Sequence, residues 1–286
     1  CNSIIPTQKL FNLIVADMRL INKRRQQKSL CFFTVFFFQL ICLSSVCYAE
    51  SESPQFPNSL PDRIVGDIGG AVYTTNLHIG SYGTQSAPLP YGFFDYKRFA
   101  MRIDQLALKT VKMGFGHLEI VGKVDPDTYK VKSTINGQTI NKGYQVPIGI
   151  GTFQETPVGV FMINAYHDFG KSNGNLFELN YFGEIETIKK VVIYPQIGLE
   201  RQTSQFTNYY YGVTASQAQQ TGYQSYTAQG STNPLAGFLM EIPIVDDWYL
   251  NVYGKRKWLG SGVNNSPVLT RSFQDTMFVA VAYRFK

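Results

Sequence analysis

Two unlike sets of side chains alternate strictly along the last stretch of the chain, residues 276–285. One face is apolar and carries aromatics near its end: Met277, Val279, Val281, Tyr283 and Phe285. The opposite face is mostly small and includes Arg284. A period of two predicts a β-strand with two unlike faces, and about ten residues is the length that a tilted strand needs to cross a membrane. The apolar face would point inward in a soluble sandwich and toward lipid in a membrane barrel.

The same period recurs along the chain and predicts ten strands. They cover residues 64–74, 89–96, 99–111, 115–124, 156–168, 176–188, 190–202, 234–245, 248–259 and 276–285. In 99–111 the apolar positions shift, which indicates a β-bulge. An Asn136-Gly137 pair predicts a hairpin within 129–145, which would raise the count to twelve. The chain is therefore predicted to be all-β, a transmembrane antiparallel up-and-down β-barrel of ten to twelve strands.

The connections between these strands fall into two classes of length. Three turns are minimal and three loops are long: Lys97-Arg98, Lys189-Lys190 and Asp246-Asp247 against 75–88, 203–232 and 260–274. The short turns share one end of the predicted barrel and the long loops share the other, as in outer-membrane barrels, whose short turns face the periplasm. Residues 125–155 break this rule, because they form a long connection on the short-turn side.

A soluble β-sandwich is the alternative, because the strands of soluble domains also alternate. Aromatics that stand at strand ends favour the membrane barrel, which carries an aromatic girdle at each interface. These residues are Tyr91, Phe93, Phe177, Tyr181, Trp248, Trp258, Tyr283 and Phe285.

The first part of the chain has the order of an export signal. Five basic residues at 19–28 precede an apolar run at 30–43, and small residues follow. This order predicts a cleaved signal peptide at 18–49, preceded by upstream sequence (1–17) and followed by a flexible lead-in (50–62) and a barrel domain (63–286). A transmembrane anchor is the alternative, but the apolar run is only about 14 residues long. The predicted destination is the outer membrane of a Gram-negative cell.

Charge and cysteine content change once residues 1–49 are set aside. They hold all four cysteines, six of the 26 basic residues and one of the 20 acidic residues, so the remainder has a formal charge of about +1. This balance gives no argument for nucleic-acid binding, and a chain without cysteine is not a disulfide scaffold or a thiolate enzyme.

The longest loop is uncharged from Gln202 to Met240 and rich in Tyr, Gln, Ser and Thr, with one helical turn predicted at 216–220. Its motif consists of Tyr209, Tyr210, Tyr211, Gly212, Val213, Thr214, Gln217, Gly222 and Tyr226. The motif resembles a loop of the MipA/OmpV family of Gram-negative outer-membrane proteins, as do residues 89–96, the strand with Trp248 and the end at 282–285. The terminal Lys286 and the segment 125–145 depart from the family pattern.

The resemblance implies a barrel of roughly eight to twelve strands without catalytic residues, cofactor or metal. It implies outer-membrane lipid as the surroundings and the barrel assembly machinery as a partner during insertion. The name-giving member of the family is described as a scaffold that links a murein lytic transglycosylase to a murein synthase. Other members are treated as porin-like or adhesive.

An enzyme is the less favoured reading of the histidines. Outer-membrane lipid hydrolases place a serine–histidine pair on the barrel wall, and His78 and His167 have Ser81 and Ser172 nearby in sequence. No motif frames either serine as a nucleophile, and no spacing of His117 or the other histidines indicates a metal site. The chain is therefore predicted not to be an enzyme.

Charged residues recur on the faces predicted to point into the lumen. They are Glu119, Lys123, Glu178, Glu184, Glu186, Glu200, Lys255, Lys257 and Arg284. Paired with one another they would form a salt-bridged plug, and left apart they would line a narrow pore for small solutes. Two functions are consistent with this pattern. One is a structural barrel that docks murein enzymes through 125–155 and the lead-in, and the other is a pore whose tyrosine-rich loop is a lid or receptor surface.

Overall fold

The computed structural model describes residues 60–80, 83–124, 129–132, 139–143, 145–187 and 190–286. The predicted upstream sequence, the signal peptide and most of the lead-in lie outside these ranges. The described strands are β1 (Val65–Asn76), β2 (Gln85–Tyr96), β3 (Phe99–Arg102), β4 (Gln105–Met113), β5 (Gly116–Lys123), β6 (Tyr129–Lys132), β7 (Thr139–Lys142), β8 (Ile148–Thr156), β9 (Gly159–His167), β10 (Asn175–Phe182), β11 (Ile185–Glu186), β12 (Val192–Gln202), β13 (Ser231–Val245), β14 (Trp248–Trp258) and β15 (Phe273–Phe285). Two helices, α1 (Ser204–Tyr211) and α2 (Ala215–Thr221), lie between β12 and β13. No helix in these ranges is long and apolar enough to span a membrane.

Twelve of the strands form one closed antiparallel barrel. Each strand of the wall pairs with the next in the chain, β1 pairs with β15, and β10 pairs with β12 across the short β11. The predicted all-β membrane barrel is confirmed. The predicted hairpin near Asn136 is present as β6 and β7, but it is a separate two-stranded sheet and adds no strand to the wall.

Burial alternates along the wall as the period of two requires. On β15, Met277 and Val279 are 51% and 45% exposed, whereas Phe278 and Ala280 are 4% and 0% exposed. The outward set continues around the barrel through residues such as Ile163, Ile197 and Phe238, which are exposed although apolar. An exposed apolar band of this kind is the lipid-facing surface of a membrane barrel, with the polar or small face turned to the lumen.

Outward aromatics gather where the short turns lie. Trp248 packs edge-on against Tyr283, and Tyr283 packs against Phe285, with ring centroids 5.5 and 5.0 Å apart. The prediction of a girdle position is wrong for Tyr91 and Phe93, because both side chains point inward from β2. Tyr91 is 3% exposed and packs on Phe278 in the lumen, and Phe93 belongs to the same inner cluster.

Residues 99–111 do not form one bulged strand. They form β3 and β4, joined by a two-residue turn at Ile103-Asp104, so that Arg102 pairs with Gln105. Ile103 has a φ of 63°, which is rare for a β-branched residue. Two-residue hairpin turns usually have Gly, Asn or Asp at the position that needs a positive φ. Isoleucine occupies that position here, so the sequence does not indicate the turn.

A strand was also missed at β8, which lies inside the predicted long connection 125–155. Its outward residues include Ile148 and Ile150, but its inward positions include Gly149 and Gly151, which weakens the alternation. The glycines are required because a Cβ on Gly149 would overlap the backbone of β9 and one on Gly151 would overlap the Asn164 side chain.

The extra turn and the extra strand together move one loop to the opposite end of the barrel. The end of β7 and Gly143 lie with the long loops, where the Tyr209 hydroxyl donates to the Gly143 carbonyl at 3.3 Å and the Lys142 ammonium lies 5.0 Å from the Tyr209 ring centre. The predicted place of 125–155 on the short-turn side is wrong. All the long loops consequently share one end. Each of the two missed features, the turn at Ile103-Asp104 and the strand β8, reverses the predicted direction of the chain, so together they leave the predicted direction of every later strand unchanged.

This topology predicts which engineered cysteines react from the same side of the membrane. Cysteine at Asn141 in β7 or at the exposed Gln224 should react with a membrane-impermeant maleimide on intact cells. Cysteine at Asp246, an exposed turn residue of the opposite end, should react only after the cells are opened. Residues 50–286 contain no cysteine, so the background is clean. Labelling of Asn141→Cys together with Asp246→Cys would contradict the topology.

Candidate functional site: the filled lumen and its loop cap

Four clusters of polar side chains fill the lumen, and the first lies near the short-turn end. Arg284 on β15 donates to Asp67 on β1 through Nε and Nη2, both at 2.7 Å, and pairs with Glu241 at 2.9 Å. The guanidinium also lies 3.9 Å from the ring centre of Tyr249, and Asn251 beside Asp67 is fully buried. One cation thus serves two carboxylates contributed by β1 and β13.

The second cluster surrounds Arg102. Asp95 forms an ion pair with Arg102 at 2.7 Å and accepts a hydrogen bond from Lys109 at 2.8 Å. The guanidinium of Arg102 lies 5.3 and 4.5 Å from the ring centres of Phe93 and Phe153. Stacking on two rings suits arginine, whose planar group is weakly hydrated.

The third cluster joins opposite parts of the wall. The Lys123 ammonium binds Glu178 on β10 and lies 3.5 Å from Asp104 in the β3–β4 turn. Close by, Gln105 Oε1 accepts from Asn164 Nδ2 at 3.2 Å and from the Tyr166 hydroxyl at 3.1 Å.

The fourth cluster is centred on Glu200 of β12. Its carboxylate pairs with Lys257 at 3.2 Å and accepts from Asn233 at 3.1 Å and from Gln202 at 2.8 Å. Lys255, the next inward lysine on β14, makes no hydrogen bond or ion pair with any residue the structure describes.

The nine charged residues predicted for the lumen therefore divide into two groups. Seven lie on inward positions of the wall: Glu119, Lys123, Glu178, Glu200, Lys255, Lys257 and Arg284. Glu184 and Glu186 are exposed at the short-turn end, beyond Phe182, where β10 ends. The sequence reading also missed Asp95, Arg102 and Lys109, whose common face becomes visible only when the turn at Ile103-Asp104 is recognised.

The long loop between β12 and β13 folds into a compact cap, and its motif explains how. Thr214 caps the N-terminus of α2, since its hydroxyl accepts from the Gln217 N–H while the Gln217 side chain accepts from the Thr214 N–H. Gly222 ends the helix with a φ of 80°, a conformation that favours glycine. Val213 and Tyr226 close the loop with two mutual backbone hydrogen bonds.

The tyrosines of the motif fasten this cap to neighbouring loops. Tyr210 and Tyr211 are buried in α1 beside Phe206, which is 1% exposed. The Tyr211 carbonyl accepts from the Ser266 hydroxyl at 2.6 Å, and the Tyr226 hydroxyl donates to the Gly262 carbonyl at 3.2 Å. Gly212 carries no side chain because a Cβ there would overlap Asn208. The cap therefore shares one apolar core with residues of the 77–79 and 259–269 loops.

The histidine and serine that were considered for catalysis do not meet. The Ser172 hydroxyl donates to Asp168 at 2.6 Å, while His167 Nδ1 lies 2.7 Å from Asn175. Burial alone would raise the pKa of Asp168, but hydrogen bonds from Ser172 and the Gly170 N–H hold that pKa below its ordinary value. Ser172 thus anchors a loop carboxylate, and Ser81 lies outside the described residues.

The comparisons with known proteins agree with this architecture. A family model described as MltA-interacting protein MipA matches residues 68–285. The chain belongs to this family. The predicted resemblance to MipA/OmpV proteins is confirmed.

Individual relatives in the family match only part of the chain. Outer membrane protein Omp26La of Vibrio anguillarum is 30% identical over 141 residues, which is 48% of this chain and 54% of the relative. Outer membrane protein OmpV of Vibrio cholerae is 28% identical over 141 residues, with the same shares. The MltA-interacting protein of Escherichia coli is 24% identical over 116 residues, 40% of this chain and 46% of the relative. The chain thus spans about half the length of the relatives it matches.

The pairing of Lys123 with Glu178 predicts a large and conditional effect on stability. Lys123→Met leaves a buried carboxylate without its cation and should lower the free energy of unfolding by about 3–5 kcal/mol. The double variant Lys123→Met with Glu178→Leu should recover most of that loss, because no charge is left alone. Denaturant titration in lipid vesicles, followed by tryptophan fluorescence, measures both.

Arg256→Met is the matched control for this series. Arg256 pairs with Asp275 on the outward face, where the guanidinium side chain is 47% exposed, so its removal should change stability little. Equal losses in the single and the double lumen variants would contradict the buried pairing.

The capping box predicts a local weakness in the cap. Thr214→Ala removes the N-cap of α2 and should destabilise the helix by about 1 kcal/mol. Chymotrypsin should then cut faster among Tyr209–Tyr211 and Tyr226, while the barrel stays resistant. Gln224→Ala, at an exposed position of the same loop, is the control and should leave the cleavage rate unchanged.

Proposed function

We propose that this chain is an outer-membrane barrel that works as a structural and interaction protein and not as an open solute pore. The observation that carries the proposal is the filled lumen. Its charges are paired with one another at 2.7–3.5 Å in most cases, and the cap of α1 and α2 packs over the long-loop end. A conducting pore needs a continuous aqueous path, which paired and buried charges do not favour.

The location in the outer membrane is supported by the fold and by the names of the relatives, several of which are outer membrane proteins. In such barrels the short turns face the periplasm. The short-turn end of this chain therefore offers the surface that a periplasmic partner would meet.

A murein-processing enzyme is the partner class we propose for that surface. The support is the name of one relative, the MltA-interacting protein of Escherichia coli, together with the family model of the same description. The hairpin β6–β7 is not part of this proposal, because Lys142 and Gly143 at its end lie with the long loops. Docking would instead involve the lead-in before β1 and exposed charges such as Glu184, Glu186 and Asp246.

Conductance tests the first part of the proposal. The protein, purified from membranes and inserted into a planar bilayer, should form a heat-modifiable barrel that stays electrically silent. A steady conductance that changes size in Lys257→Glu would overturn the closed-barrel proposal and favour a small-solute pore.

Partner capture tests the second part. Purified lytic transglycosylase of the MltA class should bind the immobilised barrel, and the double variant Glu184→Lys with Glu186→Lys should weaken that binding. Removal of residues 129–142 from the opposite end is the matched control and should leave binding unchanged. If removal of residues 129–142 abolished binding and the Glu184→Lys and Glu186→Lys double variant still bound, docking at the short-turn end would be contradicted.

A further inference from the structure

The wall of the barrel has a gap beside β2. Only the lower part of this strand pairs with β3, from Phe93 to Tyr96, because β3 turns back at Ile103. Residues 85–91 pair with β1 on one side and have no strand partner on the other among the described residues. At about 3.3 Å per residue this unpaired edge is roughly 20 Å long. The burial pattern agrees, since the first six residues of β2 are exposed on both faces.

Two prolines suit this edge to a surrounding without water. The Ile103 N–H donates to the Gly92 carbonyl at 2.8 Å, so the backbone groups of Gly92 point toward β3. Backbone groups of residues two apart point the same way in a strand, and Pro90 and Pro88 therefore face the gap. Proline has no N–H, so these positions leave no donor unsatisfied, and they also offer little to an added strand.

The surface around the gap is apolar on the outside and on the inside. A groove of about 560 Å³ lies there, within the range of ligand pockets, and every residue that lines it is Gly, Ala, Val, Leu or Pro. Gly70, Val72, Pro88 and Pro90 belong to its outward side, whereas Leu89 is on the inward face of β2. The groove therefore lies on the lipid face of β15, β1 and β2, and Leu89 is the residue of β2 in its lining that points inward.

An inward cation that makes no hydrogen bond or ion pair with any described residue, Lys255, lies on the same row of paired residues. Lys255 on β14 is in register with Thr276, which pairs with Thr75, which pairs with Gln85 at the start of the unpaired edge. Asp104, in the turn that ends β3, and Lys123 are among the charged groups close enough to act on Lys255 electrostatically. The other inward cations of the wall are bound to carboxylates at 3.5 Å or less. Lys255 is thus the cation that remains available to an anion.

We propose that the gap beside β2 binds a single-chain anionic lipid, with its carboxylate on Lys255 and its acyl chain in the apolar groove at Pro88, Leu89 and Pro90. A long-chain fatty acid has both parts. The charge selects the headgroup, and at Pro88 and Pro90 the edge has no N–H donor that the acyl chain would leave unpaired. This site is independent of any partner at the short-turn end.

Binding of isotope-labelled hexadecanoate to the purified full-length protein in a nonionic detergent tests the proposal. Hexadecanoate should bind, and methyl hexadecanoate and acetate should both bind far more weakly, because each lacks one of the two parts. Lys255→Gln should weaken hexadecanoate binding on the order of tenfold, the loss of one hydrogen bond to a charged group. Arg256→Gln removes the neighbouring outward cation and should leave the affinity unchanged.

Variants of the groove separate the chain from the headgroup. Leu89→Trp fills the inward side of the groove and should weaken binding, whereas Leu89→Ile should keep it, and heat-modifiable migration verifies that each variant is folded. Equal binding of the acid and its methyl ester, or no effect of Lys255→Gln, would overturn the headgroup assignment. Equal binding of acetate and hexadecanoate, or no effect of Leu89→Trp, would overturn the groove, and no binding at all would overturn both.

Discussion

The structure depends on one constraint, which is that each backbone N–H and C=O inside a membrane must find its partner within the protein. A closed antiparallel ladder satisfies this requirement, and here it is closed by the pairing of β1 with β15 and of β10 with β12. Where the described ladder is interrupted, at residues 85–91, prolines occupy the positions that face the gap. Pro88 and Pro90 therefore reduce the number of N–H donors that the interruption would leave unpaired.

The closed ladder also fixes what the side chains must do. Once the period of two turns half of them to lipid, the other half must fill a lumen of given width. Small residues lie beside large ones, as Ala280 and Ala282 do beside Phe278, and most of the charges are gathered into clusters of ion pairs. Taking ions out of water is costly, so such clusters persist where hydrogen bonds satisfy both members. The result is a barrel whose interior is organised like a polar core.

The pattern of the sequence was sufficient for most strands, because β13, β14 and β15 alternate without interruption. It failed where a local feature broke the period. Isoleucine at turn position 103 is not a typical turn residue, so the β3–β4 hairpin was not predicted. Gly149 and Gly151 point inward and weaken the alternation, so β8 was not predicted. Glu184 and Glu186 kept the expected spacing beyond the point where the strand had ended. In each case the deciding contact comes from another strand, which a single sequence does not display.

The cap illustrates the same division between local and distant information. The pair Thr214 and Gln217 with Gly222 is a helix start and stop that can be read within nine residues. The hydrogen bonds of Tyr211 with Ser266 and of Tyr209 with Gly143 join the cap to loops that lie tens of residues away in the sequence. The motif therefore predicts a folded loop, and only the tertiary structure places it over the end of the barrel.

The pairing of β1 with β15 has a consequence for how the protein is made. The two strands that seal the barrel are the first and the last of its wall along the sequence, so the seam cannot form before both have been synthesised. Contacts between such distant segments form slowly, and until they form both strands have an open edge that can pair with other chains. The time between synthesis and closure is thus the period in which this protein is most exposed to aggregation.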